Sequence, residues 1–471
     1  MPSNKARYFL FFVPFVISFL LSGTPVISFF AAWLGSFYIF YLTWLSPHRI
    51  VKKDLSISHQ IMRPIFLLQL IFAGFMCCTS IFYFIDHLGY EYFEKVDSIS
   101  FVVNEETYLI AKCQRLALLA HTALVCGILM AQQSRQKKRA YEFHLNRRKN
   151  IIWLRIGIAS YLLTIVMQFL PGLFQFSIYL SNIAIFCASL LLLKGLRSKD
   201  SIFIIYGATM FGVNFINATL TGYKEHIIVN VIILFALLFP YYKRLITVLA
   251  IPSIYFLLYI LPTYANIIRQ QSWSGDKSAE EARSEAFETI FQEDNSDQIV
   301  ETNWSFLTNR FSEIGMFTQF VNHVPEKRDF YGWEIIENSV LAIIPRVFYP
   351  NKPITEKIAM QRVYDAGVAD ERSSVSAKTR PVVDAYLSFG YFGVLLFLFA
   401  LGYTVQFFNN TAERWFGGYE FGCIVMFNAC FQTLWRGNNF EFMINNMFYG
   451  FITMWLMFVI LRKMQILVRK R

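Results

Sequence analysis

The stretch KTRPVVDAYLSFGYFG (Lys378–Gly393) ends a long polar interruption of the chain and opens a new hydrophobic run. Two further segments stand out within the interruption, NWSFLTNRFSEIG (Asn303–Gly315) and YGWEIIENSVLAIIPRVFYPNKP (Tyr331–Pro353). Before Thr263 and after Val394, the chain consists mostly of apolar runs separated by short basic connections. The interruption is therefore where ionisable groups gather beside a hydrophobic scaffold, and where we expect any chemistry to take place.

The composition is that of a membrane protein. Of the 471 residues, 55% are hydrophobic and only 16% are charged, and the mean hydropathy is +0.42. This balance indicates a polytopic membrane protein, in which a helix needs about 20 apolar residues to cross the bilayer. We expect an all-α fold with about twelve transmembrane helices, at residues 8–22, 26–45, 64–86, 108–131, 150–170, 173–193, 201–221, 226–240, 245–262, 383–405, 419–435 and 441–461.

The distribution of positive charge predicts the orientation of these spans. The net charge is +11, and when the short connections are taken alternately, one set holds 24 Lys and Arg and the other holds 3. Cytoplasmic connections of membrane proteins carry such an excess of Lys and Arg. Both termini are therefore expected in the cytoplasm. The basic residues are explained by topology, and we expect no nucleic-acid partner.

Three regions follow from this topology. Residues 1–262 hold the first nine spans, residues 263–382 form a long loop on the opposite side from the termini, and residues 383–471 hold spans ten to twelve and a basic cytoplasmic tail. The loop between the ninth and tenth spans far exceeds an ordinary connection, and long connections of this kind are commonly functional. It is the part of the chain in which we look for a site.

Patterns within the loop predict short helices. Apolar residues from Trp304 onward recur at three- and four-residue steps, which predicts an amphipathic helix on the membrane surface or against the bundle. Arg310 and Glu313 share a neighbouring face of it, where a surface ion pair is the simplest role. Residues 332–344 predict an apolar helix that is too short to cross and is either re-entrant or interfacial. Residues 354–379 show no dominant period and read as a mobile loop.

Several charged residues lie where charge is costly. Asp384 begins the tenth span and needs a partner, and Arg380, one helical turn earlier, is predicted to supply it. Arg115 in the fourth span either snorkels to the surface or meets an anionic headgroup. Arg346 and Lys352 project from a proline-stiffened path, where anchoring at the interface is the alternative to a binding role. No clustered His, Cys or Asp ligands are visible, so we expect no metal.

The order of these features resembles a known family. The chain combines many spans, a long loop in its second half, an R-F-S-E-I-G helix (Arg310–Gly315), a short apolar segment ending in IPRVFYPNKP (Ile344–Pro353) and an acid shortly before SFGYFGV. In this it resembles the O-antigen polymerase (Wzy-like) family of bacterial polysaccharide polymerases. The likeness covers residues 304–402, and the remainder agrees in topology. Where that pattern leads us to expect Glu, this chain has Asp384.

The resemblance implies a membrane-embedded glycosyltransferase of the bacterial inner membrane with a periplasmic loop. Such an enzyme moves a growing glycan from undecaprenyl pyrophosphate onto the next lipid-linked repeat unit, in O-antigen, capsule or exopolysaccharide synthesis. Its partners would be undecaprenyl-pyrophosphate-linked oligosaccharides and membrane lipids, with a chain-length regulator and a flippase. No cofactor is implied.

The resemblance also implies roles for particular residues. Such a reaction needs a base for the acceptor hydroxyl and cations for the pyrophosphate leaving group, for which guanidinium groups are well suited. The candidates for the base are two carboxylates, Asp384 and Glu313, followed by His323. The candidates for the cations are Arg310, Arg346 and Arg380, supported by Lys352 and Arg115.

Two other classes of protein compete with this interpretation. An O-antigen ligase has the same broad architecture but transfers finished glycan onto another acceptor. A polysaccharide flippase or other transporter would not be an enzyme. Transporters usually carry inverted repeats and broken helices at the middle of the membrane, whereas this sequence shows no internal repeat and gathers its ionisable groups outside the spans.

Overall fold

The computed structural model describes residues 4–45, 55–95, 103–134, 140–143, 147–169, 174–220, 230–232, 234–235, 238–255, 296–345, 348–372, 377–426, 430 and 438–470. These residues are mostly helical, which confirms the predicted helical class. The predicted spans at 226–240, 245–262 and 419–435 lie partly outside the described residues. Residues 263–295 of the predicted loop lie entirely outside them.

The chain divides into two compact units. The first consists of Met1–His144 and Phe311–Arg471, and the second of Leu145–Arg310. The boundaries drawn from the sequence at 262 and 382 concern the side of the membrane on which a segment lies. They stay predictions, because compactness does not test them.

In the amino-terminal part of the first unit, the described residues form five α-helices. A proline stands at the first position of the second helix, where its missing N–H is not needed. Two helices continue into π-helical turns at Tyr41–Leu45 and Gly74–Cys78. The helices are α1 (Asn4–Leu20), α2 (Pro25–Phe40), α3 (Leu67–Ala73), α4 (Ser80–His87) and α5 (Glu105–Ser134).

The second unit is described by five further helices. A π-helical turn, Leu307–Phe311, follows the last of them. The helices are α6 (Arg147–Gln168), α7 (Phe174–Ser198), α8 (Ser201–Leu220), α9 (Lys243–Tyr255) and α10 (Ser296–Phe306).

The carboxy-terminal part of the first unit contains the segments that the sequence singled out. The predicted apolar helix in residues 332–344 is confirmed as a ten-residue helix, and a helix also stands where a mobile loop was predicted. The helices are α11 (Ile314–His323), α12 (Glu334–Ile343), α13 (Thr355–Asp365), α14 (Pro381–Trp415), α15 (Tyr419–Met426) and α16 (Phe440–Lys463).

Five helical stretches among the described residues are long and apolar enough to cross a membrane. They coincide with the second, third, fourth, tenth and twelfth predicted spans, which agrees with a helical membrane protein. The stretches are Pro25–Leu45, Leu67–His87, Glu105–Gln132, Pro381–Trp415 and Phe440–Lys463. Three shorter apolar helices accompany them, at Tyr8–Leu20, Ile151–Met167 and Ser201–Ile216.

Helices α5 and α14 pack against each other with their backbones in close approach. A Cβ atom on Gly402 would stand 2.2 Å from the carbonyl oxygen of Leu124, and one on Gly127 would stand 2.1 Å from that of Phe399. Such short distances leave no room for a side chain between the helices, which is the arrangement that small residues permit in membrane helix pairs. This crossing forms the core of the first unit, and α5 is almost entirely buried.

Helix α14 is sharply bent near its start. Phe389 and Gly390 have non-helical backbone angles, with φ 58° and ψ −138° at Gly390, a combination that is almost restricted to glycine. A Cβ on Gly393 would lie 2.1 Å from the carbonyl oxygen of Ala385, although residues eight positions apart in a straight helix are about 12 Å apart. Residues 381–388 therefore fold back as a short arm on residues 391–415.

Two short antiparallel strand pairs complete the described fold. Strands β1 (Tyr90–Glu91) and β2 (Glu94–Lys95) form a hairpin after α4. Strand β3 (Tyr141–Phe143) pairs with β4 (Leu467–Arg469), so the basic tail predicted from the sequence is fixed to the segment that follows α5.

Candidate functional site

Three charged side chains meet in the interior of the first unit, and we call Arg362, Asp384 and Glu441 the buried triad. The guanidinium of Arg362 binds both carboxylate oxygens of Glu441, with Nη1–Oε1 at 2.6 Å and Nη2–Oε2 at 2.9 Å. Its Nη2 also lies 3.5 Å from Oδ1 of Asp384. The two acids are fully buried and Arg362 is 3% exposed, so the triad is shielded from solvent.

Each member of the triad comes from a different helix. Asp384 lies in the first turn of α14 and Glu441 in the first turn of α16. Acids are favoured there because the exposed N–H groups give a helix N-terminus a partial positive charge. Arg362 projects from α13. The triad therefore ties the segment between residues 355 and 365 to the starts of two helices that can span a membrane.

The carboxylate of Asp384 has partners on both oxygens. Thr379 Oγ1 donates to Oδ1 at 2.7 Å, and the backbone N–H of Phe440 donates to Oδ2 at 2.7 Å. Burial alone would lower the pKa of the Arg362 guanidinium, but Asp384 and Glu441 outweigh it and raise that pKa above its ordinary value. A charged Arg362 facing two hydrogen-bonded acids is a rigid arrangement, suited to holding helices in place.

A second ion pair lies closer to the surface. Arg380 Nη2 donates to Oε1 of Glu313, with the two side chains 24% and 10% exposed. Glu313 is the residue that precedes α11, and Arg380 is the residue that precedes α14. Each of the two side chains therefore belongs to the residue immediately before a helix. Arg380 is partly accessible, whereas Glu313 is buried.

A third pair joins the segment before α14 to α13. The ammonium of Lys378 bonds with Glu356 and also lies 4.2 Å from the centre of the Phe442 ring. The side chains of Lys378 and Glu356 are 26% and 41% exposed. A surface pair of this kind contributes little stability on its own. Three neighbouring charged residues thus bind three different partners: Lys378 binds Glu356, Arg380 binds Glu313 and Asp384 binds Arg362.

The predicted pairing of Arg380 with Asp384 is wrong. Asp384 contacts Arg362, and Arg380 contacts Glu313. The physical reason is the backbone at Arg380, whose φ of −98° and ψ of 162° are extended. Residues four apart face each other only when both are helical, and Arg380 stands outside the helix that Asp384 begins.

Two further predicted cations are engaged with other groups. Lys352 Nζ donates to the carbonyl oxygens of Ala342 at 2.7 Å and Ile344 at 2.9 Å. Arg115 is 7% exposed and donates to Ser28 Oγ at 2.7 Å. Lys352 therefore closes the end of α12, and Arg115 faces the interior of the first unit instead of snorkelling to the surface.

The remaining predicted site residues are placed as follows. His323 ends α11 and is half-buried. Arg310 is exposed in the π-helical turn and belongs to the second unit, and Arg346 lies outside the described residues. The structure thus brings Glu313 and Arg380 together, while Asp384, Lys352 and Arg115 contact other groups.

Arg362 and Glu441 are not among the site residues that the sequence predicts. The sequence predicts a mobile loop at residues 354–379, but α13 occupies Thr355–Asp365. A signal was present, because Ala359, Met360 and Val363 recur at helical spacing and are buried on one face. Glu441 stands two residues after Asn439, an amide residue of the kind that often begins a helix. The Asn439 side chain caps α16 by accepting a hydrogen bond from the N–H of Phe442.

Within the described ranges, no group of three or more His, Cys, Asp or Glu side chains is arranged to hold a metal ion. The expectation of a metal-independent protein stays a prediction. This arrangement of charges allows a charged ligand to bind by taking the place of one partner in the ion pair of Glu313 and Arg380.

Comparison with known proteins defines a family. Residues 13–469 match the model of a family described as Domain of unknown function (DUF8712). The match covers nearly the whole chain, so this helical protein belongs to the DUF8712 family. No curated protein and no solved structure matches the chain.

Proposed function

We propose that this protein is a polysaccharide polymerase, similar to the O-antigen polymerases. It would act as a metal-independent glycosyltransferase that moves a growing glycan from undecaprenyl pyrophosphate onto a lipid-linked repeat unit. The observation that carries the proposal is the ion pair between buried Glu313 and partly exposed Arg380, which lies at two of the motifs on which the family resemblance rests. It pairs a carboxylate with a guanidinium, the two chemical groups that the reaction needs.

The proposal includes a topology. About twelve helices cross the bacterial inner membrane, with both termini cytoplasmic and residues 263–382 periplasmic. The alternation of basic connections supports this orientation, as do the five helical stretches of spanning length among the described residues. In this orientation the ion pair of Glu313 and Arg380 faces the periplasmic side.

The proposed reaction uses exchange of partners at this pair. The diphosphate of the carrier takes over the N–H donors of Arg380, which releases the carboxylate of Glu313. Glu313 then accepts the proton of the acceptor hydroxyl as its oxygen forms a bond to the anomeric carbon of the growing glycan. The bond between that carbon and the diphosphate oxygen breaks, its electron pair leaves with the diphosphate, and Arg380 neutralises the charge that develops there.

In this scheme Asp384 is a positioning residue. Its carboxylate is fully buried, and both of its oxygens accept hydrogen bonds, so it is poorly placed to take a proton from a substrate. It fixes the start of α14 and thereby the residue before that helix, Arg380. The proposal therefore narrows the predicted base to Glu313 and leaves His323 as the second candidate.

The test is complementation of a strain from which the gene has been deleted, with the glycan products separated by length. Loss of polymerase leaves single repeat units, loss of a ligase leaves full-length glycan on the carrier, and loss of a flippase leaves single repeats on the cytoplasmic side. We expect single repeats that have reached the periplasmic side of the membrane, and either of the other two outcomes would contradict the proposal.

The residue-level test compares Glu313→Gln and Arg380→Lys with a matched control. Both variants should lose chain elongation while protein levels are kept, because lysine cannot reproduce the bidentate contact of a guanidinium with a diphosphate. The control is Arg328→Lys, since Arg328 forms an exposed ion pair with Asp365 at 3.1 Å and should elongate normally. Long glycan made by Glu313→Gln would remove that residue from the reaction.

A further inference from the structure

Helix α12 lies along α16, with which it shares a buried face. Ile335, Ser339 and Ala342 of α12 are buried. The hydroxyl of Tyr449 on α16 donates to the carbonyl oxygen of Ile343, the last residue of α12, at 2.7 Å. This contact fixes how far along α16 the end of α12 lies.

The depth of that contact follows from the packing of α14 on α16. Three ring pairs connect the helices with one constant sequence offset, Phe397 with Phe440 at 5.7 Å, Phe408 with Phe451 at 4.5 Å and Trp415 with Phe458 at 4.8 Å. The helices are therefore parallel and level with each other at each pair. Depth along either helix can then be measured on a common scale.

On this scale the end of α12 is deep. At a rise of 1.5 Å per residue, Tyr449 lies about 14 Å below Phe440 and about 22 Å below the level of Tyr391, where the straight part of α14 begins. A tyrosine side chain points toward the N-terminus of its helix, so the carbonyl of Ile343 is about one turn, or 5 Å, higher. The carbonyl of Ile343 thus lies about 9 Å below Phe440 and about 17 Å below Tyr391, within the length over which these two helices would cross a hydrocarbon core of about 30 Å.

The end of α12 is closed in a way that suits this depth. A helix C-terminus leaves carbonyl oxygens without partners inside the helix, and within a bilayer no water can satisfy them. Here Lys352 donates to the carbonyls of Ala342 and Ile344, and Tyr449 donates to that of Ile343. The ammonium also lies at the negative end of the helix dipole, which is favourable. Protein groups thus supply the hydrogen bonds that water supplies to a helix end at a surface.

The face of this segment that points away from α16 is apolar. Val340 is 55% exposed and Phe348 is 81% exposed, and Leu341, Ile344 and Ile354 are also exposed. The acids of α12, Glu334 and Glu337, are confined to its first turn. From residue 338 to residue 354 the sequence has two charged residues, Lys352, which binds the end of α12, and Arg346, which lies outside the described residues.

We infer that the chain enters the bilayer beside α16 after Glu337 and leaves it on the same side, so that the outer face of residues 338–345 and 348–354 lies against lipid hydrocarbon. The occupant of that face is lipid because its depth is that of a spanning helix, its side chains are apolar, and its helix end is closed by protein groups. The inference does not depend on the proposed enzymatic activity.

The test measures the surroundings of spin labels on the full-length protein in proteoliposomes. Labels are attached at Val340→Cys, Phe348→Cys and, as a control, Glu371→Cys, which is exposed in the turn after α13. The native protein treated with the same reagent supplies the background from its own cysteines. Collision with oxygen reports hydrocarbon, and collision with a water-soluble nickel chelate reports solvent.

At Val340→Cys and Phe348→Cys we expect collision with oxygen to exceed collision with the chelate several-fold, and at Glu371→Cys we expect the reverse. Access of the chelate at both Val340→Cys and Phe348→Cys would show a helix lying on the membrane surface. Low access of both reagents would show that another protein surface covers this face. Either result would overturn the inference, and the use of two positions protects the test against misfolding of one variant.

Discussion

Arg362 binds Glu441 through both of its terminal nitrogens and also reaches Asp384, so that one guanidinium serves two buried carboxylates. The three residues come from α13, α14 and α16, which are distant in sequence. The contact fixes α13, in a segment for which the sequence predicts a mobile loop, to the starts of α14 and α16. It also leaves Arg380 available to Glu313, the pair on which the proposed reaction depends.

Arg362→Met is expected to lower the free energy of unfolding by about 3–5 kcal/mol, because it leaves two buried carboxylates without a countercharge. Unfolding by denaturant in bicelles measures the effect. Arg328→Met is the matched control, since Arg328 is 40% exposed, and a surface pair contributes about 0–1 kcal/mol. Adding Glu441→Gln to Arg362→Met should recover part of the loss. Equal effects of Arg328→Met and Arg362→Met would show that the buried triad is not a structural centre.

Gly402→Ala is expected to destabilise the protein by about 1–3 kcal/mol, the usual effect of overpacking. The new Cβ would stand 2.2 Å from the carbonyl oxygen of Leu124, so α5 and α14 must separate. Gly212→Ala in α8 serves as the control, because no atom lies within 4 Å of its Cβ position. There alanine should stabilise by about 0.5–1 kcal/mol, since glycine is unfavourable inside a helix. A stable Gly402→Ala protein would contradict the close approach.

Gly390→Ala should cost about 1–3 kcal/mol, because the φ of 58° and ψ of −138° are strained for any residue with a side chain. The added Cβ would also lie 3.2 Å from the Phe330 ring. Gly74→Ala is the comparison, with open space and ordinary helical angles. Thermal unfolding of both variants in the same detergent distinguishes them. No difference between their melting temperatures would argue against the bend.

Tyr449→Phe and Lys352→Met each remove donors from the carbonyls at the end of α12. Each substitution should cost about 1–3 kcal/mol, the usual penalty for a buried polar group left without a partner. Because the two side chains serve the same helix end, the double variant should differ from the sum of the single effects. Tyr41→Phe, at an exposed tyrosine, should change stability little. If Tyr449→Phe behaves like Tyr41→Phe, water must reach the end of α12.

The long apolar elements of this fold could be predicted from the sequence. Residues 108–131 predict a span, and α5 covers Glu105–Ser134. Residues 441–461 likewise correspond to α16. A run of about 20 apolar residues has few alternatives to a membrane helix, because its length and composition alone determine the outcome.

The bend and the buried triad could not be predicted in the same way. The backbone reversal at Gly390 lies inside the predicted span 383–405, and a single glycine does not reveal its backbone angles. The partner of Asp384 was sought among its sequence neighbours, but it comes from α13. Pairing across distant helices is a property of the packed structure, which local spacing does not contain.

The close approach of α5 and α14 has a consequence for motion. At Gly127 and Gly402 there is no layer of interlocking side chains whose rotamers could change to let one helix slide along the other. The two helices can tilt about this point but cannot shift in register. We therefore expect the crossing to act as a fixed pivot during any conformational change, with displacement increasing toward the distal ends of the pair.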